Sequence, residues 1–333
     1  MIAVSAYELR KVYRVAVRQP GLLGSLRQVI AARTRDITAV DGVSFDIEQG
    51  EFVGYIGPNG AGKSTTVKML AGILHPTSGQ VLVNGVSPVR EREAVARRIG
   101  VVFGQRTQLW WDLPTVDSFE ILAALYDVSA ADYRRAMREL TDLLELGEFL
   151  DVPVRRLSLG QRMRADLAAA LLHSPGVLFL DEPTIGLDVM AKAQVRDFLT
   201  RVNRERGVTI LLTTHDMRDI EELCRRVMVI NHGRLMFDGD LESLVASAGL
   251  RTIVRLQLAG APPARLAVGQ QLGDGAVVVA AVDQSSRQVD LAFDRRSTSA
   301  AQALVAAQQL GEVRDVSLIE AGIEETVKRL LEQ

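Results

Sequence analysis

From Met1 to about residue 245, short apolar runs alternate with longer segments of helical periodicity, the pattern of a layered α/β domain. Glu51 to Ile56 reads as a strand, and Thr66 to Ile73 as an apolar helical stretch. Val177–Leu180 and Val208–Leu212 are apolar from end to end with polar flanks, as buried parallel strands are. Val189 to Arg206, between them, has helical length. Tyr133, Met137, Leu140 and Leu144 share one helical face, and Met163, Leu167 and Leu171 share another. These segments predict a helical lobe over residues 106–172, inserted into the sheet domain. Near Gly249 the pattern changes. Val254, Leu256 and Leu258 alternate with polar positions, as do Val289, Leu291 and Phe293, predicting half-buried strands. Gly260 to Pro263 breaks the chain between them. An alanine-rich helix at Ala300–Leu310, a strand at Val316–Leu318 and a last helix carrying Ile323, Val327 and Leu330 follow. The prediction is an α/β domain over 1–245 and a small α+β domain over 250–333, the latter without a chemical motif.

Composition narrows the picture only modestly. The 333 residues suffice for two domains, and 47% apolar with 24% charged residues is ordinary for a soluble globular chain. A formal charge of −2 gives no global attraction to nucleic acid. One cysteine, Cys224, excludes an internal disulfide and fits a reducing cytosol. It either fills space on an apolar helix face or serves as a reactive thiol. Met1 to Arg10 lacks the basic and apolar regions of a secretory leader. Apolar runs such as Ala165 to Leu172 fall short of the ~20 residues a membrane span needs. Membrane contact is therefore expected through a partner or a surface.

The candidate chemistry begins at Gly57, Pro58, Asn59, Gly60, Ala61, Gly62, Lys63 and Ser64, which match G-x-x-x-x-G-K-[ST] between a strand and a helix and run on into Thr65. Glycines let successive backbone N–H groups turn inward on phosphate oxygens, and the following helix aims its positive end at the same place. Lys63 would reach the β- and γ-phosphates of a nucleoside triphosphate, and the Ser64 hydroxyl would ligate Mg²⁺. Val177–Leu180 ends in Asp181 and Glu182. The first acid can hold Mg²⁺ through water; the second is placed to orient or deprotonate a water attacking the γ-phosphate. The next strand ends in Thr213, Thr214, His215 and Asp216, which sets an imidazole near the same edge. Leu157, Ser158, Leu159, Gly160 and Gln161 open the Met163 helix. That start is either a plain N-cap or a second anion-binding terminus, and the latter makes sense if two subunits meet head to tail.

Taken together, these motifs resemble the ATP-binding subunit of an ABC transporter over about residues 4–245. The resemblance carries Walker A at Gly57–Ser64, the Q-loop glutamine at Gln105, and the signature at Leu157–Gln161. It also carries Walker B at Asp181, the catalytic glutamate at Glu182, the D-loop at Leu187 and Asp188, and the switch histidine at His215. One departure is visible: the usual LSGGQ reads LSLGQ, with Leu159 in place of a glycine. The fold implied is a P-loop NTPase domain with a helical signalling lobe. The implied mechanism is a dimer sandwiching two ATP molecules, each held by one subunit's Walker A loop and the other's Ser158 and Gly160. Glu182 would polarise the water, His215 and Lys63 would contact the γ-phosphate, Gln105 would sense Mg²⁺, and Asp188 would lie across the seam.

The implied partners are a second copy and integral-membrane permeases, two identical or two different chains, at the cytoplasmic face of the cell membrane; no nucleic acid is expected. Resemblance to antibiotic and multidrug efflux ATPases with a small C-terminal extension implies export. The alternatives are a soluble ABC ATPase of translation or DNA repair, and a nucleotide-gated scaffold without turnover, against which Glu182 argues. Tyr13 is either the adenine-stacking aromatic or a strand-end residue packing on its own sheet. An insertion at 19–35 places Leu22, Leu23, Leu26, Val29 and Ile30 on one face, beside Arg18, Arg27, Arg33 and Arg35. It would rest on anionic lipid or a permease, or pack on its own domain. Trp110 and Trp111 either receive a permease helix or lie buried in the helical lobe.

Overall fold

A computed structural model describes residues 1–16, 34–104, 106–247, 251–273, 275–294, 297–319 and 322–332. Residues 19–33 of the expected insertion lie outside these, as does Gln105. Two compact units are present, Met1–Asp240 and Leu241–Gln333.

In the first unit, β1 (Ile2–Ala16) and β2 (Thr34–Glu48) form an antiparallel pair with several register shifts. They lead to β3 (Phe52–Ile56), whose five residues are all buried, and into α1 (Lys63–Leu70). Next come β4 (Ser78–Val83), the short α2 (Arg92–Ala96) and β5 (Ile99–Phe103). The helices α3 (Thr115–Leu125), α4 (Ala130–Leu144) and α5 (Leu159–Leu171) follow without an intervening strand. Then come β6 (Val177–Asp181), α6 (Val189–Arg206), β7 (Thr209–Thr213), α7 (Met217–Leu223), β8 (Arg226–Asn231) and β9 (Arg234–Asp240).

The strands make two sheets. One has the order β2-β1-β4; the other runs β5-β6-β7-β3-β8-β9, parallel except where β9 returns antiparallel along β8. Apolar residues from both sheets, among them Val4, Ile47, Val83, Tyr55, Phe179 and Met228, form one core. Strands buried on both faces need unbroken apolar runs, and β6 and β7 supply them. Their register aligns Phe103, Asp181 and Thr213 across three neighbouring strands, so the polar residues ending two of those runs land side by side.

Helices α3 to α5 pack through Phe119, Leu122, Leu140, Met163 and Leu167, all essentially buried. Ser129 caps α4 by accepting from Asp132 N, and Glu145 ends it in the left-handed conformation. Trp110 and Trp111 are 40% and 53% exposed, so the burial alternative for this pair does not hold. The Arg162 guanidinium lies 5.4 Å from the Trp111 ring.

The second unit begins with α8 (Leu241–Ser247), followed by β10 (Thr252–Leu258), the two-residue β11 (Gln271–Leu272), β12 (Val277–Asp283) and β13 (Gln288–Phe293). It ends with α9 (Ala300–Ala307), β14 (Val313–Ile319) and α10 (Ile323–Leu331). The sheet order is β11-β12-β13-β10-β14, antiparallel throughout. Small residues Ala303 and Ala307 bring α9 close to Val254, Leu256, Leu291 and Phe293, and α10 packs on α8. Strand β12 had no counterpart in the sequence reading.

Candidate active site

The loop between β3 and α1 can curl tightly because its glycines accept conformations closed to other residues. Gly62 has φ +111°, and a Cβ there would lie 2.4 Å from the Ala39 carbonyl oxygen. The curl folds Lys63 back on its own loop: Nζ donates to the carbonyls of Gly57 at 2.7 Å and Pro58 at 3.1 Å. Burial lowers the Lys63 pKa from its ordinary value, while the nearby Glu182 and Asp181 carboxylates pull it back up. This ammonium is thus held ready for an anion by weak neutral acceptors. Below it, Thr66 bridges the helix to the sheet, donating to Gly62 O at 3.1 Å and lying 3.3 Å from the Tyr55 hydroxyl.

The strand register delivers Asp181 to the same place. Its Oδ1 accepts from Ser64 Oγ at 3.1 Å and from Thr213 Oγ1 at 2.6 Å, tying the glycine loop, β6 and β7 at one atom. Glu182 follows with φ +57°, a left-handed conformation that a non-glycine residue adopts only when its surroundings enforce it. Its N–H donates to Thr213 O at 2.9 Å, and its carbonyl is so close to Gly104 that a Cβ there would stand 2.0 Å away. The turn aims the carboxylate at the next strand end: His215 Nδ1 is 3.5 Å from Glu182 Oε2.

A cleft of about 920 Å³ opens over these groups. Asn59, Gly60, Ser64, Asp181, Glu182 and His215 line it, so these six of the expected phosphate-loop and hydrolysis residues come together there. Lys68, Ile73, Phe103 and Arg106 also line it and were not anticipated. Tyr13 is not among the described residues at this cleft; it sits opposite Ile37 in the β1–β2 ladder with Lys11 Nζ 5.4 Å from its ring.

The signature residues are elsewhere. Ser158, Gly160, Gln161 and Asp188 border a separate cavity of about 270 Å³ that has no lining residue in common with the larger cleft. Ser158 caps α5 by accepting from Gln161 N at 3.2 Å, and Gln161 Oε1 in turn accepts from Ser158 N at 2.9 Å. Leu159 and Gly160, in the first turn, carry N–H groups without an intrahelical acceptor. Asp188 caps α6 in the same manner through Ala191 N.

Two buried polar clusters escaped the sequence reading. Asp219, fully buried, accepts from Thr184 Oγ1 at 2.6 Å and Thr214 Oγ1 at 3.1 Å, with Arg196 3.3 Å away. Asp166 on α5 accepts at Oδ1 from Thr107 Oγ1 at 2.8 Å and Gln108 N at 3.1 Å. Their only sequence signal is a polar residue standing inside or beside an apolar run. Cys224 is buried, and burial raises its thiol pKa, so it fills space and is not a reactive thiolate.

A lysine folded into a glycine-rich turn, opposite two successive carboxylates at the end of one parallel strand, defines a P-loop nucleoside triphosphatase. Residues 40–185 match the ABC transporter family. Daunorubicin resistance ATP-binding protein DrrA3 of Streptomyces coeruleorubidus is 35% identical over 300 residues, 90% of this chain and 92% of the relative. Nod factor export ATP-binding protein I of Burkholderia thailandensis is 41% identical over 221 residues, 66% of this chain and 72% of the relative. A solved dimeric ATP-binding cassette in a post-hydrolysis state with ADP and phosphate superposes with a TM-score of 0.60. It is 27% identical and covers 72% of this chain and 98% of the other. The chain belongs to the ABC transporter ATP-binding family and is the ATP-hydrolysing subunit of an ABC transport complex.

Proposed function

We propose that two copies of this chain close head to tail over two ATP molecules and drive separate permease subunits, in the direction of export. The observation that carries the reading is the separation of the two cavities. The triphosphate cleft and the Ser158–Asp188 cavity share no lining residue on one chain, which supports a partner copy bringing its signature to complete each site. Among the described residues no helix is long and apolar enough to cross a membrane; in this reading the permeases are other chains and the subunit attaches to them at the cytoplasmic membrane face. Relatives named for daunorubicin resistance and Nod factor export support the direction. The exposed Trp110 and Trp111 offer the permease an aromatic contact.

In this reading Gly57 to Thr65 wrap the phosphates with backbone N–H groups, and Lys63 leaves its loop carbonyls for the β- and γ-phosphate oxygens. No cluster of three or more His, Cys, Asp or Glu among the described residues could hold a metal alone. Ser64 and Asp181 nevertheless present hard oxygens 3.1 Å apart, a donor set that fits Mg²⁺ completed by phosphate and water. Ser64, Gln105 and, through water, Asp181 would hold it. Such an ion neutralises charge on the phosphate oxygens. Glu182 orients and deprotonates the attacking water, and His215, within 3.5 Å of that carboxylate, contacts the γ-phosphate. Ser158, Gly160 and Gln161 receive the partner's nucleotide at the first turn of α5, where the Leu159 and Gly160 N–H groups lack intrahelical acceptors.

The test is Glu182→Gln. Turnover falls by roughly 10²–10⁴-fold, the usual weight of a positioned general base. ATP affinity is kept, and a stable ATP-bound dimer accumulates in size-exclusion chromatography. Hydrolysis at the wild-type rate, or turnover by a strictly monomeric preparation, would refute the reading.

A further inference from the structure

Glu182 and His215 sit on different loops, and something must fix their relative placement to within the tolerance of a water attack. The buried carboxylate of Asp219 touches both loops. Thr184, two residues beyond Glu182, donates to Oδ2 at 2.6 Å; Thr214, immediately before His215, donates to the same oxygen at 3.1 Å. Thr184, Thr214 and Asp219 are all 3% exposed or less, so neither hydroxyl has water as an alternative partner.

Helix α6 secures the arrangement from behind. Arg196, on α6, stands 3.3 Å from Asp219 Oδ1 and 3.1 Å from Glu222. One turn earlier Lys192 Nζ contacts Asp216 Oδ2 at 2.6 Å, on the residue just after His215. Lys192 and Arg196 lie four and eight positions beyond the cap residue Asp188, hence on one face of the helix. The histidine loop is thereby gripped on both sides of His215. Its position is linked through one helix to Asp188, the residue assigned above to the dimer seam.

We propose that Asp219 is a positioning residue for ATP hydrolysis: it holds the Glu182 loop and the His215 loop in register, with α6 as its support. This rests on the roles given above to Glu182 and His215. The mechanism is geometric. With either hydroxyl bond lost, the two catalytic side chains drift relative to each other while the phosphate-binding loop, which shares none of these bonds, stays in place.

The experiment measures kcat, the Kd for ADP and the melting temperature of the full chain. The variants are Thr184→Val, Thr214→Val and Asp219→Asn, with Glu182→Gln and His215→Ala alongside. Valine keeps the threonine's shape and removes one hydroxyl, so it avoids the gross disturbance expected at the buried Asp219. Each threonine variant should lower kcat about tenfold with ADP affinity little changed, while the buried carboxylate, short of one donor, lowers the melting temperature by only a few degrees. Thr214→Val placed on His215→Ala should cost nothing further, because the group it positions is already gone. Wild-type rates in both valine variants, with Glu182→Gln and His215→Ala inactive, would overturn the hub alone. Parallel loss of rate, ADP affinity and melting temperature would reduce Asp219 to a stability role and also overturn it. Normal turnover in Glu182→Gln and His215→Ala would instead remove the reading on which it rests.

Discussion

The two units bury polar side chains to different ends. In Met1–Asp240, Lys63, Thr184, Thr213, Thr214 and Asp219 are buried and converge on the carboxyl ends of three parallel strands. In Leu241–Gln333 the buried Asp290 and Thr326 close bonds within their own sheet and helix. Asp290 is paired bidentately with Arg255 on the neighbouring strand, and Thr326 donates back to Gly322 one turn away. Polar burial is costly, and the first unit concentrates the cost where a ligand can return it. The second spends it on holding its own sheet and helix ends. The difference teaches where chemistry is to be sought: in polar groups that several loops and helices gather on one cleft, not in those satisfied within a single sheet or a single helix turn.

That contrast can be broken most severely in the second unit's core. Leu291 is fully buried against α9, so Leu291→Ala should remove about 2–5 kcal/mol of that unit's stability. Calorimetry should show an earlier transition while ADP affinity stays unchanged. Loss of nucleotide binding would mean that the units do not divide structure from chemistry. Next in size, Lys63→Ala removes an ammonium that donates to two loop carbonyls. ATP affinity should fall roughly tenfold to a hundredfold, the value of hydrogen bonds to a charged group, with the melting temperature of the apo protein little changed. An apo protein destabilised by several degrees would assign Lys63 a structural duty instead.

Asp166 sharpens the comparison at the smallest scale, because it is a buried carboxyl of the first unit outside the cleft. Burial pushes its pKa up to about 6 from an ordinary 3.8, against the opposing hydrogen bonds of Thr107 and Gln108 and the Arg162 charge. Between about pH 4 and pH 6 the folded chain therefore holds a proton that the unfolded chain has released. Acidification through that window stabilises the fold, and the ionised carboxylate costs stability above it. Asp166→Asn keeps the Oδ1 acceptor that both partners use. It should be more stable than wild type at pH 8 by about 1–2 kcal/mol, after the lost attraction to Arg162 is offset, and equal to it near pH 4. A gap that widens on acidification would reverse the assignment.

Contiguous features were readable from the residues alone. The P-loop announces itself within eight positions, and β6 and β7 are plain because strands covered on both faces must be apolar throughout. The alternation of Val254, Leu256 and Leu258 likewise gave β10 its buried face. Strand β12, a run of valines and alanines from Val277, shows neither alternation nor helical spacing, so periodicity is silent about it. Strand β13 looked half-buried, yet Asp290 and Ala292 are buried as well, since the Arg255 pair covers its second face. The carboxylate beneath Glu182 and His215 was invisible for a deeper reason. Asp219 is distinguished only by its neighbours in space, and Thr184 is 35 residues from it.

One residue without a side chain sets how much change the hydrolytic machinery can tolerate. Gly104 leaves the room into which the Glu182 carbonyl bends, and any substituent there collides with that backbone oxygen. A side chain at this position would push the Glu182 backbone out of its turn while altering no functional group. A glycine chosen from a sequence as inert filler is here among the least replaceable letters of the protein.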